Sequence, residues 1–145
     1  MDPVRQAVYC IALKKLNNRD IKKPIRIWIG RFTDIWSYNG VWLSLPMDPN
    51  ELKEALRVIE KIKKGSIVRQ VESNLKGLEL IHRNPIELNE IAKTVNTLSL
   101  SEKQTVEYFM SMDVTYFDAT SYIENNENYR RREALENKIN QPFGG

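Results

Sequence analysis

The sequence predicts an α+β protein, with a small N-terminal antiparallel sheet, a helix packed on that sheet and a C-terminal helical unit. Apolar residues alternate with a period of two in the stretches before residue 46, which is typical of strands. Beyond residue 48 they recur mostly at helical spacing. Strands that come early and helices that come late favour α+β over a parallel α/β sheet.

Breaks in these patterns suggest four segments. We predict a basic N-terminal extension over residues 1–24, an α+β unit over 25–83, a helical unit over 84–140 and a frayed tail over 141–145. The extension is predicted to be helical over 4–16, because Val4, Val8 and Ile11 recur at helical spacing. Its β-branched residues would also suit a strand.

The first two strands are the best defined. Ile25, Ile27 and Ile29 alternate with other residues, and Val41–Leu45 follows a similar alternation after a turn-forming segment over 34–40. Such a pair most simply forms an antiparallel hairpin. Residues 66–82 predict one or two further strands.

Capping signals mark three helix starts. Asp48-Pro49-Asn50-Glu51 and Asn84-Pro85-Ile86-Glu87 each join a capping residue to a proline and a carboxylate, and Ser101–Gln104 has the pattern of a capping box. We therefore predict helices over 49–62, 85–98 and from 101 onward, followed by helices over about 116–124 and 128–139.

The residues needed for common catalytic and metal sites are scarce. The 145 residues include one histidine, His82, and one cysteine, Cys10, which together are too few for a typical zinc site. If the two side chains met in space, the sequence suggests no third group that would orient the histidine for catalysis. Neither of the two common glycine-rich phosphate-binding motifs occurs. We predict a protein with no catalytic residues, no metal and no cofactor.

Cysteine use and hydropathy predict a cytoplasmic location. A single cysteine suits a reducing compartment. The N-terminus lacks the features of an export signal, and apolar stretches such as Ile25–Ile29 are far shorter than a membrane span.

Charge is distributed unevenly although the net charge is only +3. Residues 1–31 are basic, whereas residues 101–127 are acidic. Five aromatic residues are interleaved with arginines and suit either a nucleic-acid stacking platform or the core face of the sheet, which we favour. The residues concerned are Trp28, Phe32, Trp36, Tyr38 and Trp42, with Arg26 and Arg31.

Several stretches resemble the ArdA family of antirestriction proteins. The residues are Ile25–Gly30, Tyr38-Asn39-Gly40, Trp42–Pro46 with the helix after Asp48, and Asn84–Ala92 with its Glu-Leu-Asn signature. The resemblance extends over about residues 25–130. It implies a protein carried by mobile genetic elements that occupies the DNA-binding groove of a host type I restriction enzyme, or of another nucleic-acid-targeting defence enzyme, by imitating DNA. The family tends to dimerise, and the apolar faces of the late helices permit a homodimer.

The net positive charge limits any such mimicry to one region. The resemblance implies an acidic stretch after the first helix of the α+β unit, where this chain instead has Gly65–Gln70. The only dense acidic candidates, which also suit solvated helix faces, are Glu102, Glu107, Asp113, Asp118, Glu124 and Glu127. The alternative function is a nucleic-acid-binding accessory protein, whose phosphate contacts would be Lys14, Lys15, Lys22, Lys23, Arg130, Arg131 and Arg132.

Overall fold

The predicted α+β class is confirmed by a computed structural model, which describes residues 3–34 and 39–126. The elements are α1 (Pro3–Leu16), β1 (Ile25–Gly30), β2 (Val41–Leu45), α2 (Pro49–Ile62), β3 (Ile67–Ser73), α3 (Leu78–Ile81), α4 (Pro85–Thr94), a 3-10 turn (Val95–Thr97), α5 (Leu100–Ser111) and α6 (Tyr116–Asn125). Within these ranges no helix is long and apolar enough to cross a membrane. The helix predicted over 128–139 and the tail over 141–145 lie outside the described residues.

The three strands form one antiparallel sheet in the order β2-β1-β3. The predicted hairpin is confirmed, with Ile25 opposite Leu45 and Trp28 opposite Trp42. β3 pairs with the other edge of β1, and the register shifts by one residue after Trp28. The central strand therefore has partners on both sides, which fixes which of its residues face the core.

The core face of the sheet is aliphatic, so our preference for the aromatic residues as the core face was wrong. The alternate residues of β1 and β2 that are buried are Ile25, Ile27, Ile29, Val41, Leu43 and Leu45. Because side chains alternate across a sheet, Trp28 and Trp42 point to the opposite face, where both are half-buried. Phe32 is 63% exposed, and Trp36 and Tyr38 lie outside the described residues.

The segment between α1 and β1 covers the open edge of β2. The Asn18 amide donates to the Trp42 carbonyl at 2.8 Å, and the Trp42 amide donates to Asn17 Oδ1 at 2.8 Å. On the second face of the sheet, Arg19 makes a two-pronged hydrogen bond to Glu72 at 2.7 and 2.6 Å. The Arg19 guanidinium also lies 5.0 Å from the Trp42 ring centroid. The segment thus protects an edge that would otherwise be free to pair with another strand.

Helix α1 is confirmed, but its predicted apolar stripe does not face the core. Val8 is 56% exposed and Ile11 is 55% exposed, whereas Leu13 and Leu16 pack against the core. The helix contacts α2 and β2 through its C-terminal part. Helical spacing predicted α1 correctly but did not indicate which of its faces packs against the core.

Residues 66–82 contain one strand, β3, and a short helix, α3, so a second strand there is excluded. Gly77 adopts φ +84° just before α3, a left-handed conformation that interrupts extended backbone. Leu75 and Leu78 on either side are fully buried. The chain therefore turns on Gly77 and returns both leucines to the core.

Two of the three predicted helix starts are confirmed. Asp48 accepts from the amides of Asn50 and Glu51, and Asn84 accepts from the amides two and three residues beyond it. The third start was misplaced by two residues, because Ser99, and not Ser101, is the N-cap. The Glu102 amide donates to Ser99 Oγ at 3.1 Å, and the Ser99 amide donates to Glu102 Oε1 at 3.0 Å.

Two buried polar side chains, Asn89 and His82, join the predicted helical unit to the predicted α+β unit. Asn89 on α4 is buried, and its side-chain amide accepts from the Met47 amide at 2.8 Å and donates to the Met47 carbonyl at 3.0 Å. His82 is also buried, and its Nε2 accepts from the Tyr116 amide at the start of α6 at 3.0 Å. Helix α4 packs on β1, β2 and α2, so the buried side chains between these elements form one hydrophobic core.

Candidate functional site

The acidic candidates are spread over α5, α6 and the turn between them. Glu102 belongs to the capping box of α5, and Asp118 is exposed in the first turn of α6. Glu124 is exposed near the other end of α6, and Glu127 lies outside the described residues. Glu107 and Asp113 differ from these because they line one groove. Of the five acidic candidates that the structure describes, Glu107 and Asp113 therefore line a shared surface.

That surface is a groove of ≈ 560 Å³ between α3 and α5, which we call the α3–α5 groove. Lys76 and Leu80 line one side, and Glu107, Tyr108 and Asp113 line the other. Leu80 is 83% exposed and Tyr108 is 64% exposed, although both are large apolar side chains. Two carboxylates against one ammonium group give the groove an acidic balance around an apolar centre.

Sequence reasoning missed the apolar half of this groove. Leu80 falls in the stretch predicted to be strand, and Tyr108 falls in a predicted helix whose exposed and buried sides the sequence did not indicate. Met112, just after the end of α5, is also an apolar residue and is 58% exposed. In contrast, Val106 and Met110 are the α5 side chains that are buried in the core. No local pattern distinguishes these two groups, because both recur at helical spacing.

Aspartate is an unfavourable residue at the position of Asp113, just after the end of α5. It follows the last residues of α5 with φ +63°, and the Val114 amide donates to the Phe109 carbonyl at 3.1 Å. Glycine is the usual residue at such a left-handed helix terminus, and a carboxylate there opposes the negative end of the helix dipole. A residue that makes the protein less stable than another residue would at the same position is a candidate for a functional role.

We expect Asp113→Gly to raise the free energy of unfolding by about 1 kcal/mol, because glycine removes both the backbone penalty and the unfavourable charge. Urea denaturation of the two proteins at neutral pH measures the difference. Asp113→Asn is the matched control, since asparagine tolerates the left-handed region and removes only the charge. A lower stability for Asp113→Gly would show that the Asp113 side chain makes a stabilising contact.

The basic candidates of the N-terminal extension divide into two groups. Lys14 and Lys15 are exposed in the last turn of α1, where a positive charge favours the helix dipole, and Lys22 is exposed in the following segment. In contrast, Lys23 Nζ donates to the Pro46 carbonyl at 2.9 Å and helps to hold the segment on the sheet. Arg130, Arg131 and Arg132 lie outside the described residues.

The single histidine, His82, is held in place through both of its ring nitrogens. Because His82 Nε2 accepts a hydrogen bond from the Tyr116 amide, the ring proton of a neutral His82 belongs on Nδ1, which lies 3.4 Å from Glu87 Oε2. The ring also makes an edge contact with Phe117 at 5.7 Å between centroids. Both nitrogens thus have partners. The Cys10 side chain lies outside what the structure describes.

Among the described residues, no three histidine, cysteine, aspartate or glutamate side chains are grouped so that they could hold a metal ion. Comparison of the chain with models of protein families, with characterised proteins and with solved structures found no match.

Proposed function

We propose that this protein is a counter-defence protein of a mobile genetic element that binds a host DNA-targeting defence enzyme and blocks it. The observation that carries the proposal is the α3–α5 groove, which Glu107 and Asp113 line together with the exposed Leu80 and Tyr108. Enzymes that bind DNA present lysine and arginine side chains to its phosphates. A carboxylate-flanked apolar groove is complementary to such a surface.

The exposed apolar centre gives the groove more than electrostatic attraction. Buried tyrosine side chains commonly carry a large share of the binding energy at protein interfaces, within a rim of polar residues. Carboxylates around such a centre steer association with a basic partner and fix its orientation. Leu80 and Tyr108 would therefore supply affinity, and Glu107 and Asp113 would supply selectivity for a cationic surface.

One contact brings together two of the stretches on which the resemblance to the ArdA family rests. Two of its motifs, the Leu-Pro at the end of β2 and the Glu-Leu-Asn on α4, meet where Asn89 holds both backbone groups of Met47. Residues that are distant in the sequence thus act together in one joint. The contact is consistent with the two stretches forming one structural unit, as the proposed family relation expects.

The test is inhibition of a purified type I restriction-modification complex cutting unmodified DNA. We expect the native chain to inhibit cleavage, and the doubly neutralised variant Glu107→Gln, Asp113→Asn to need about 30-fold more protein for half inhibition, which corresponds to about 2 kcal/mol. We expect Tyr108→Ala to lose inhibition to a similar extent, because it removes the largest exposed apolar group of the groove.

The matched control is Glu54→Gln, Glu90→Gln, which removes the same charge from exposed positions on α2 and α4. We expect this control to inhibit within about twofold of the native chain, because long-range steering depends mainly on charges close to the interface. Equal inhibition by the groove variant and the native chain would contradict the assignment of the groove. No inhibition by the native chain would contradict the proposed function for this class of enzyme.

A further inference from the structure

A second surface lies at the β3 edge of the sheet, where arginine side chains lie near an exposed aromatic ring. We call it the Arg–Phe surface, formed by Arg31, Phe32, Arg69 and Arg83. The Arg69 guanidinium lies 6.0 Å from the Phe32 ring centroid, and Arg83 Nη1 lies 3.4 Å from the Arg69 carbonyl. Arg31 is the chain neighbour of Phe32. Positions from three separate parts of the sequence therefore meet at this edge.

The positive charge of this surface is not neutralised locally. Within the described part of the chain, Arg69 and Arg83 form no ion pair, and their guanidinium groups donate to backbone carbonyls at 3.2 to 3.4 Å. Arg31 Nε lies 3.5 Å from Asp34, but that carboxylate is already paired with Lys63 at 2.8 Å. Each guanidinium carries five N–H donors, so several remain for an anionic partner.

The aromatic ring at the centre is held outward by a well-anchored turn. Phe32 is 63% exposed, and the turn that carries it is closed by the Asp34 amide donating to the Arg31 carbonyl at 2.9 Å. The Arg31 amide donates back to Asp34 Oδ2 at 2.6 Å, and the Asp34 side chain is itself buried. The exposure of Phe32 therefore follows from a turn that is fixed at both ends.

From this geometry we propose that the Arg–Phe surface binds single-stranded nucleic acid. An exposed aromatic ring stacks on an unpaired base, and arginine side chains bind the flanking phosphates, often in pairs of hydrogen bonds. Bases in a duplex are stacked on one another and do not present their faces to a side chain. A small surface of one ring and three arginines therefore fits a single strand better than a duplex. This proposal does not depend on the α3–α5 groove.

Fluorescence anisotropy with a labelled oligothymidine tests this, with a duplex of the same length beside it. We expect the single strand to bind more tightly, and its affinity to fall roughly 20-fold between about 50 mM and about 200 mM salt, as release of counterions from three phosphates requires. We expect Phe32→Ala to weaken binding about tenfold and Arg69→Gln, Arg83→Gln to weaken it and to reduce the salt dependence.

Two controls separate this surface from the other candidates. Arg57→Gln removes an exposed, ion-paired charge from α2 and is expected to leave affinity for the oligothymidine within about twofold of native. Glu107→Gln, Asp113→Asn is expected to leave this binding undiminished, since it alters only the groove. Absence of oligothymidine binding, preference for the duplex, or loss of binding only in Lys14→Gln, Lys15→Gln, Lys22→Gln would overturn the proposal. Circular dichroism of each variant verifies that it is folded.

Discussion

We expect Lys63→Met to lower the free energy of unfolding by about 3–5 kcal/mol, because it leaves a buried carboxylate without its partner. Lys63 Nζ lies 2.8 Å from Asp34 Oδ1, and both residues are at least nine-tenths buried. Asp34 also holds the turn that follows β1, through the Arg31 amide. Urea denaturation at neutral pH measures the loss. The double variant Asp34→Asn, Lys63→Met should recover much of it, since no unpaired charge remains.

The pH dependence of this pair has a defined sign. Burial on its own would raise the pKa of Asp34, but the hydrogen bonds from Lys63 and Arg31 outweigh it and hold that pKa below its usual value. A lowered pKa contributes stability that is present above the unfolded value, about 3.9, and is lost as the pH falls through the folded value. The stability difference between the native chain and Lys63→Met should therefore narrow as the pH falls toward the lowered pKa of Asp34, because protonated Asp34 has no charge left unpaired. A difference that is constant with pH would contradict this assignment.

We expect Asn89→Ala to lower the free energy of unfolding by about 2–4 kcal/mol, because it leaves the amide and the carbonyl of Met47 without their partner. Asn89 is 1% exposed, so water cannot readily replace the side chain. Asn96→Ala, at an exposed position in the 3-10 turn that follows α4, is the matched control and should change stability by less than about 0.5 kcal/mol. Equal effects at the two positions would show that the hydrogen bonds between Asn89 and Met47 contribute little to stability.

The parts of the fold that depend on near neighbours could be predicted from the sequence. The alternation of Ile25, Ile27 and Ile29 and the caps at Asp48 and Asn84 involve residues within a few positions of one another, and all are confirmed. The third cap was misplaced because both Ser99 and Ser101 have a glutamate or glutamine three residues later. The structure uses the pair with a charged partner, Glu102, which also favours the helix dipole.

The parts that depend on distant neighbours could not be predicted. Trp28 and Trp42 were assigned to the core because a period of two does not say which face is buried, and residues 17–23 partly cover the second face. Asn89 and Met47 are 42 positions apart, and no local signal relates them. The α3–α5 groove needs Leu80 beside Tyr108, which follows only from the turn at Gly77. Choosing candidates by charge alone therefore identified Glu107 and Asp113 but not the surface that they share.

The most direct test of the proposed function is competition between this protein and DNA for one enzyme. Labelled duplex DNA is bound to a purified type I restriction complex, and the anisotropy of the label is followed as the protein is added. We predict that the protein displaces the duplex, so that the anisotropy falls to that of free DNA, and that Glu107→Gln, Asp113→Asn displaces it only at much higher concentration. DNA that stays bound to the enzyme at saturating protein, or displacement that results from the protein binding the duplex in place of the enzyme, would contradict the account.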